Sequence, residues 1–180
     1  LRLEAKQLYV TMANLKDLRN RITSIGNTMK ITSAMKMVSA AKLKKAQDAI
    51  QSMRPYSEKL TEILQNVSSS LSVDENPFAQ ERETKKVLLV LLTSNRGLCG
   101  PFNSAVTKAA NARIASLKGV DVELMTVGKK ASDLFKKSGR IVETENEIWN
   151  NLKFENTDTI AEKLMVGFAS KKWDRIEVIY

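Results

Sequence analysis

The first part of the chain repeats apolar residues at steps of three and four, the pattern of a helix that packs against another helix. This seam runs from Leu15 to Met29, resumes at Leu43 and continues to Leu71. It predicts one helix of roughly 55 residues, about 80 Å long at the standard rise. Because a globular core does not hold a helix of that length, we expect it to form one strand of a coiled coil.

Residues 30–42 depart from this seam. The positions that fall in register there are Thr32, Lys36 and Ser39, which leave a gap in the apolar stripe. Seven apolar side chains lie around them instead: Ile31, Ala34, Met35, Met37, Val38, Ala40 and Ala41. The apolar surface therefore spreads around the helix, and we expect contacts on more than one side.

Two prolines mark changes in the pattern. Pro55 lies inside the seam, and because it lacks an N–H and clashes with the preceding turn we expect a kink or an interruption there. Pro77 lies in a polar, acidic stretch whose composition predicts a linker over residues 72–84. The long helix is therefore assigned to residues 12–71.

From residue 85 onward, short apolar runs alternate with helical segments. The predicted strands are 85–92, 120–127, 140–144 and 174–180. The predicted helices are 101–117, 129–137 and a third that Thr157 or Asp158 caps. This alternation predicts an α/β fold: a long N-terminal coiled-coil-type helix followed by a small α/β domain, residues 85–180, with a mostly parallel sheet.

Composition narrows the chemistry that the chain can perform. It contains no histidine and a single cysteine, Cys99, so the commonest general base and any internal disulfide are missing. The acidic residues show no spacing typical of paired catalytic carboxylates. We expect no catalytic residues, no metal and no cofactor. No apolar run is long enough to span a membrane and no secretory pattern is visible, which favours the cytoplasm or peripheral membrane attachment.

Positive charge is concentrated near the N-terminal end. The net charge is +9, and residues 12–54 carry nine Lys or Arg against Asp17 and Asp48. Such a segment favours an acidic partner: nucleic acid, an anionic membrane or an acidic protein surface. DNA-reading helices place a dense Arg/Lys block before a clean leucine seam. Here apolar residues interleave with lysines, so we expect no nucleic-acid partner.

The segment from Thr93 to Asn103 follows a predicted strand and precedes a helix, where phosphate-binding loops occur. Its glycines, Gly97 and Gly100, do not complete the dinucleotide fingerprint, and no Gly-Lys-Ser/Thr is present. The simpler interpretation is that these glycines let the chain turn sharply away from the sheet.

Three motifs, taken together, resemble the gamma-subunit family of F-type ATP synthases. The first is the basic helix core from Lys30 to Lys42, the second is Arg-Pro-Tyr at 54–56, and the third is Ser-x-Arg-Gly-Leu-Cys-Gly at 94–100. They occur in the family's order and spacing. The resemblance covers residues 12–180.

This resemblance implies a rotor shaft that stands in a ring of alpha and beta subunits. It implies further partners in the epsilon subunit and the membrane c-ring, with membrane contact only through the complex, at the cytoplasmic face of the bacterial inner membrane. The residues expected to face the ring are Lys30, Ile31, Met35, Lys36, Met37, Val38 and Lys42. Those expected to form the structural turn are Arg96, Gly97 and Gly100. Chemistry would take place in the beta subunits.

Two departures from the family pattern shape the remaining expectations. Residues 1–11 have no family counterpart, and the C-terminal helix that forms the second strand of the shaft is missing, so we expect the sequence to be the N-terminal part of a longer protein. The alternative functions are a nucleotide-binding α/β protein with a basic helical arm and a basic nucleic-acid binder.

Overall fold

The computed structural model describes the backbone of residues 2–70, 76–78, 80 and 82–180, and the side chains of 14–67 within the first helix. The chain divides into two compact units, Leu1–Ser70 and Leu71–Tyr180. The predictions that fall on residues 71–75, 79 and 81 lie outside the described residues.

The first unit is a single helix, α1 (Arg2–Ser70), of 69 residues. At the standard rise this is roughly 100 Å long. It begins earlier than predicted, so residues 2–11 continue the helix. The prediction followed the seam from Leu15, whereas residues 2–11 contain no Gly or Pro that would end the helix before it. Pro55 lies inside α1 and does not interrupt it; a bend at that point stays a prediction.

The second unit contains one sheet of four parallel strands, which confirms the predicted fold class. They are β1 (Lys86–Leu92), β2 (Asp121–Val127), β3 (Ile141–Glu145) and β4 (Arg175–Ile179). Their order across the sheet is β3-β2-β1-β4, with every neighbouring pair parallel. The two central strands hold most of the buried residues, as their nearly continuous apolar sequences predict.

Three helices connect the strands: α2 (Phe102–Ser116), α3 (Lys129–Phe135) and α4 (Phe154–Ala169). A short 3₁₀ turn follows α3 at Lys136–Ser138, and another lies between β3 and α4 at Ile148–Asn150. The predicted cap of α4 at Thr157 or Asp158 is wrong, because the helix begins at Phe154 after an extended Lys153. The Thr157 hydroxyl donates to the carbonyls of Lys153 and Phe154 and therefore lies within the first turn.

The sheet has an apolar layer on each face. On one face α2 and α3 cover Leu89, Leu91 and Leu124. On the other face α4 and its neighbours cover a second layer that includes Met125 and Trp173. Helices on both faces of a parallel sheet leave two edges, one at the strand starts and one at the strand ends, and it is there that loops present exposed side chains.

Candidate partner-binding surfaces

The seam of α1 is exposed along its whole described length. Leu15, Leu18, Ile22, Ile25 and Met29 are between 49% and 69% exposed. Between residues 14 and 67 every residue except the half-buried Gly26 is exposed. An apolar stripe of this length in water requires a partner, because monomeric soluble proteins rarely expose contiguous apolar patches of such extent.

A second apolar stripe lies on the other side of α1. Ile31, Met35 and Val38 are separated by four and three residues, so they share a face of their own. At roughly 100° per residue, these three residues are turned by about a third to a half of a revolution from the seam residue Met29. All three side chains are more than half exposed. The regular helix thus places most apolar side chains of residues 31–41 on the side away from the seam that ends at Met29.

The three lysines that were predicted to face the ring point in different directions around α1. By the same helical spacing, Lys36 falls in register with the seam, Lys42 continues the second stripe, and Lys30 lies between the two stripes together with Met37. Between residues 14 and 67 the one ion pair joins Lys59 to Glu62 at 2.8 Å. The lysines of residues 30–42 are therefore exposed charges without a described acidic partner. Their assignment to a ring-facing surface stays a prediction.

The turn after β1 is closed by its own side chains. Asn103 accepts a hydrogen bond from the backbone N–H of Ser94 at 3.1 Å and donates to the Cys99 sulfur at 3.0 Å. Within this turn two residues have a left-handed backbone. One is Gly100, whose φ of 60° favours glycine; the other is Leu98 at 61°, and not Gly97. Arg96 and Gly97 are exposed within this turn. Leu98 is fully exposed at its tip, a feature that the motif alone does not indicate.

The start of α3 lies beside this turn, and its N–H groups are already bonded. Lys129 donates to the Asn95 side chain at 2.9 Å, Lys130 to the Ser94 carbonyl at 3.2 Å, and Ala131 to the Thr93 hydroxyl at 2.9 Å. Gly128 allows this close approach, since a Cβ there would lie 2.1 Å from the Thr93 carbonyl oxygen. A phosphate would have to displace three protein acceptors at this helix start. The geometry therefore does not favour a phosphate at the start of α3.

The described residues contain neither a cluster of metal-ligating side chains nor a membrane-spanning helix. Within them, no group of three or more Cys, His, Asp or Glu side chains could hold a metal ion. Within the same part of the chain, no helix combines the length and the apolar character needed to cross a bilayer.

A comparison with protein families matches residues 14–180 to the family described as ATP synthase. The chain is also similar to curated proteins named ATP synthase gamma chain. It is 53% identical to that of Flavobacterium psychrophilum and 54% identical to that of Flavobacterium johnsoniae, each over 170 residues. The chain belongs to the ATP synthase gamma family. It is 44% identical over 176 residues to the Cytophaga hutchinsonii gamma chain, a more distant relative.

The match to these gamma chains is partial in length. It covers 94% of this chain but 59% of the two Flavobacterium relatives and 60% of the Cytophaga relative. The chain thus spans about three fifths of the length of the curated relatives it matches. The matched region includes both apolar stripes of α1 and the whole four-stranded sheet.

An ion-pair network in the α/β domain was missed by the sequence reasoning. Lys86 contacts Glu123 at 2.5 Å and Asp121 at 3.5 Å, and the Trp173 indole donates to Glu123 at 2.7 Å. Burial acts to raise the pKa of Glu123, but hydrogen bonds from Lys86 and Trp173 outweigh it and hold this pKa below its usual value. The network joins β1, β2 and the start of β4. Its members lie far apart in sequence, so only the register of the parallel strands brings them together.

Proposed function

We propose that this chain forms part of the central rotor shaft of a proton-translocating F-type ATP synthase, coupling proton-driven rotation to conformational cycling of the catalytic beta subunits. The observation that carries the proposal is a long, continuous helix with apolar stripes on opposite sides, in a chain of the gamma family. The chain itself would be non-catalytic.

The two stripes divide the contacts of the proposed shaft. The seam from Leu15 to Met29 would pack against the second helix of the shaft, and the stripe of Ile31, Met35 and Val38 would face the surrounding alpha and beta subunits. Methionine is flexible and tolerates several packings, which suits a surface that turns against a changing neighbour. Lysine offers long-range attraction without the bidentate geometry that would lock an arginine to one carboxylate.

Coupling follows from the asymmetry of such a shaft. If each beta subunit meets a different side of α1, the rotation angle favours a different conformation in each. Each catalytic site then has its own nucleotide affinity, and by thermodynamic linkage nucleotide binding biases the angle in return. The free energy passes through contacts of α1, so the chain needs no bound nucleotide of its own.

The remaining assignments belong to the same proposal. Residues 12–71 would form the shaft helix, 72–84 the linker and 85–180 the foot, which would contact the epsilon subunit and the membrane c-ring. The complex would lie at the cytoplasmic face of the bacterial inner membrane, with this chain attached peripherally. Both the named relatives and the family assignment support a bacterial complex of this kind.

The first test is assembly. Co-expression of the full chain with the alpha and beta subunits should give a stoichiometric complex with ATPase activity. A chain that purifies away from alpha and beta would refute the proposal. Tight binding of ATP by the chain itself would favour the nucleotide-binding alternative. Strongly salt-dependent binding to duplex DNA would favour the nucleic-acid binder instead.

The second test concerns the ring-facing lysines. Replacing Lys30, Lys36 and Lys42 by Glu should leave the complex assembled but lower the ATP synthesis that a given proton gradient supports. A matched control reverses three exposed lysines of the α/β domain that form no described ion pair, Lys108, Lys129 and Lys153. Full synthesis and unchanged torque in the α1 variant, or an equal loss in the control, would contradict the assignment.

A further inference from the structure

Cations gather where the four strands of the sheet begin. Each connecting helix ends at this edge, and the short segment between helix and strand carries lysine or arginine. We call this surface the basic edge. It consists of Lys85 before β1, Lys118 before β2, Lys136, Lys137 and Arg140 before β3, and Lys171 and Lys172 before β4.

The fold, not the sequence order, places these residues together. Parallel strands begin at the same edge of a sheet, so segments between 18 and 87 positions apart in the chain become neighbours across β3-β2-β1-β4. Cations also suit this edge because three helices end there, where the backbone dipole favours positive charge. At Lys171 the backbone has a φ of 62°, a conformation that favours glycine, yet a lysine occupies it.

The described acidic residues at this edge, Glu83, Asp121 and Asp174, are already engaged. Glu83 contacts Lys85 at 3.1 Å, and Asp121 contacts Lys86. Asp174 accepts the backbone N–H groups of both Lys85 and Lys86, at 3.0 and 2.9 Å. Among the described residues, no ion pair involves Lys118, Lys136, Lys137 or Lys171. The edge therefore keeps an excess of exposed positive charge.

The side chains of the basic edge are unlike those of a protein–protein interface. Protein interfaces are enriched in aromatic residues and arginine and depleted in lysine. One large, exposed apolar side chain is described near this edge: Phe78, 51% exposed, which stacks on Phe168 in the last turn of α4. More of them lie at the opposite edge, where Leu98 and Phe102 follow β1 and Trp149, Leu152 and Phe154 follow β3. The domain thus has one more apolar edge and one edge at which exposed cations predominate.

We propose that the basic edge docks on the anionic phospholipid headgroups of a membrane surface, a direct contact in addition to the attachment through the complex that the resemblance implies. Clusters of lysine and arginine near a bilayer bind acidic lipids through their summed charge, without a shaped pocket. This inference rests on the proposed function, since membership in a membrane-bound rotary complex is what brings the domain near a bilayer. Such a contact is diffuse, so it would not fix the domain at one rotation angle.

The test uses the complex with alpha and beta subunits, because α1 is itself basic and apolar and would bind vesicles if left uncovered. The complex is mixed with phosphatidylcholine vesicles, with and without one quarter phosphatidylglycerol, and sedimented at low ionic strength. One variant replaces Lys118, Lys136 and Lys137 by Gln, and a control replaces Lys108, Lys129 and Lys153 by Gln. Both variants lose the same charge.

Each lysine near an anionic membrane surface contributes about fivefold to binding. Binding to the acidic vesicles should therefore fall by on the order of a hundredfold in the edge variant and much less in the control. Equal losses in both variants, unchanged binding in the edge variant, or equal binding to neutral vesicles would overturn the proposal. So would an edge variant that binds vesicles normally but loses an acidic protein subunit. Failure of the chain to assemble, seen before vesicles are added, would refute the proposed function instead.

Discussion

Gly167 in α4 offers the sharpest test of how the α/β domain is packed. A Cβ added at this buried position would lie 2.1 and 2.4 Å from two ring carbons of Trp173. Trp173 is only 4% exposed, and its indole nitrogen is bonded to Glu123. The ring therefore cannot move aside without breaking that hydrogen bond. We predict that Gly167→Ala destabilises the domain.

Two opposing effects set the magnitude. Alanine is the better helix former by about 1 kcal/mol, which stabilises the variant. Overpacking a dense core costs typically about 1–3 kcal/mol, and a weakened hydrogen bond to a charged group adds about 1 kcal/mol or more. The clash involves a buried aromatic ring rather than a flexible chain end, so overpacking should win. We expect a net loss of about 1–3 kcal/mol in the free energy of unfolding.

Urea unfolding followed by tryptophan fluorescence measures this loss, since Trp173 becomes exposed on unfolding. The control is Gly26→Ala in α1, where a Cβ would meet nothing within 4 Å, so it should not lower the urea midpoint of the α/β domain. A double variant with Trp173→Phe lacks this reporter and is compared with the single variants by circular dichroism; it should show positive coupling, because the smaller ring leaves room for the methyl group. If Gly167→Ala is as stable as the parent chain, the packing of α4 against Trp173 described above is wrong.

Two further predictions concern hydrogen bonds between elements of the domain. Glu123→Gln should cost about 1–3 kcal/mol at neutral pH. Because the folded pKa of Glu123 is lowered from 4.5, its contribution is full above that pH and is lost as the pH falls through the folded pKa. Urea midpoints of parent and variant should converge in acid, and a gap independent of pH would contradict this. Asn95→Ala removes bonds to Lys129 and Asn146 and should lower the unfolding free energy by about 1–3 kcal/mol, whereas an unchanged urea midpoint would argue against that bridge.

The parts of the fold with a strong local pattern could be predicted from the sequence. β1 and β2 are continuous apolar runs, and their positions agree with the prediction to within a residue. The start of α4 could not be predicted in this way, because Thr157 fits a capping pattern equally well inside a first turn. Similarly, the prediction followed the seam from Leu15 and therefore did not include residues 2–11 in the helix.

The candidate surfaces, too, were only partly visible in the sequence. The apolar character of residues 30–42 was visible, but the two opposed stripes emerge only when a regular helix sets the direction of Ile31, Met35 and Val38. The basic edge was invisible because its lysines are spread between residues 85 and 172, and no local window contains them. Strand order alone brings these segments to one edge.

The opposed stripes of α1 also limit what kind of partner can bind it. A single neighbouring helix buries a stripe of about 100° and therefore covers the seam from Leu15 to Met29 but not Ile31, Met35 and Val38, which lie on the opposite side of the next two turns. A flat protein surface has the same limitation. Only a second helix on one side together with another partner on the other, or a partner that surrounds the pair, covers both stripes. In the proposed shaft the ring supplies that second contact, and the methionines and lysines around the second stripe suit an interface that must repack at every step of rotation.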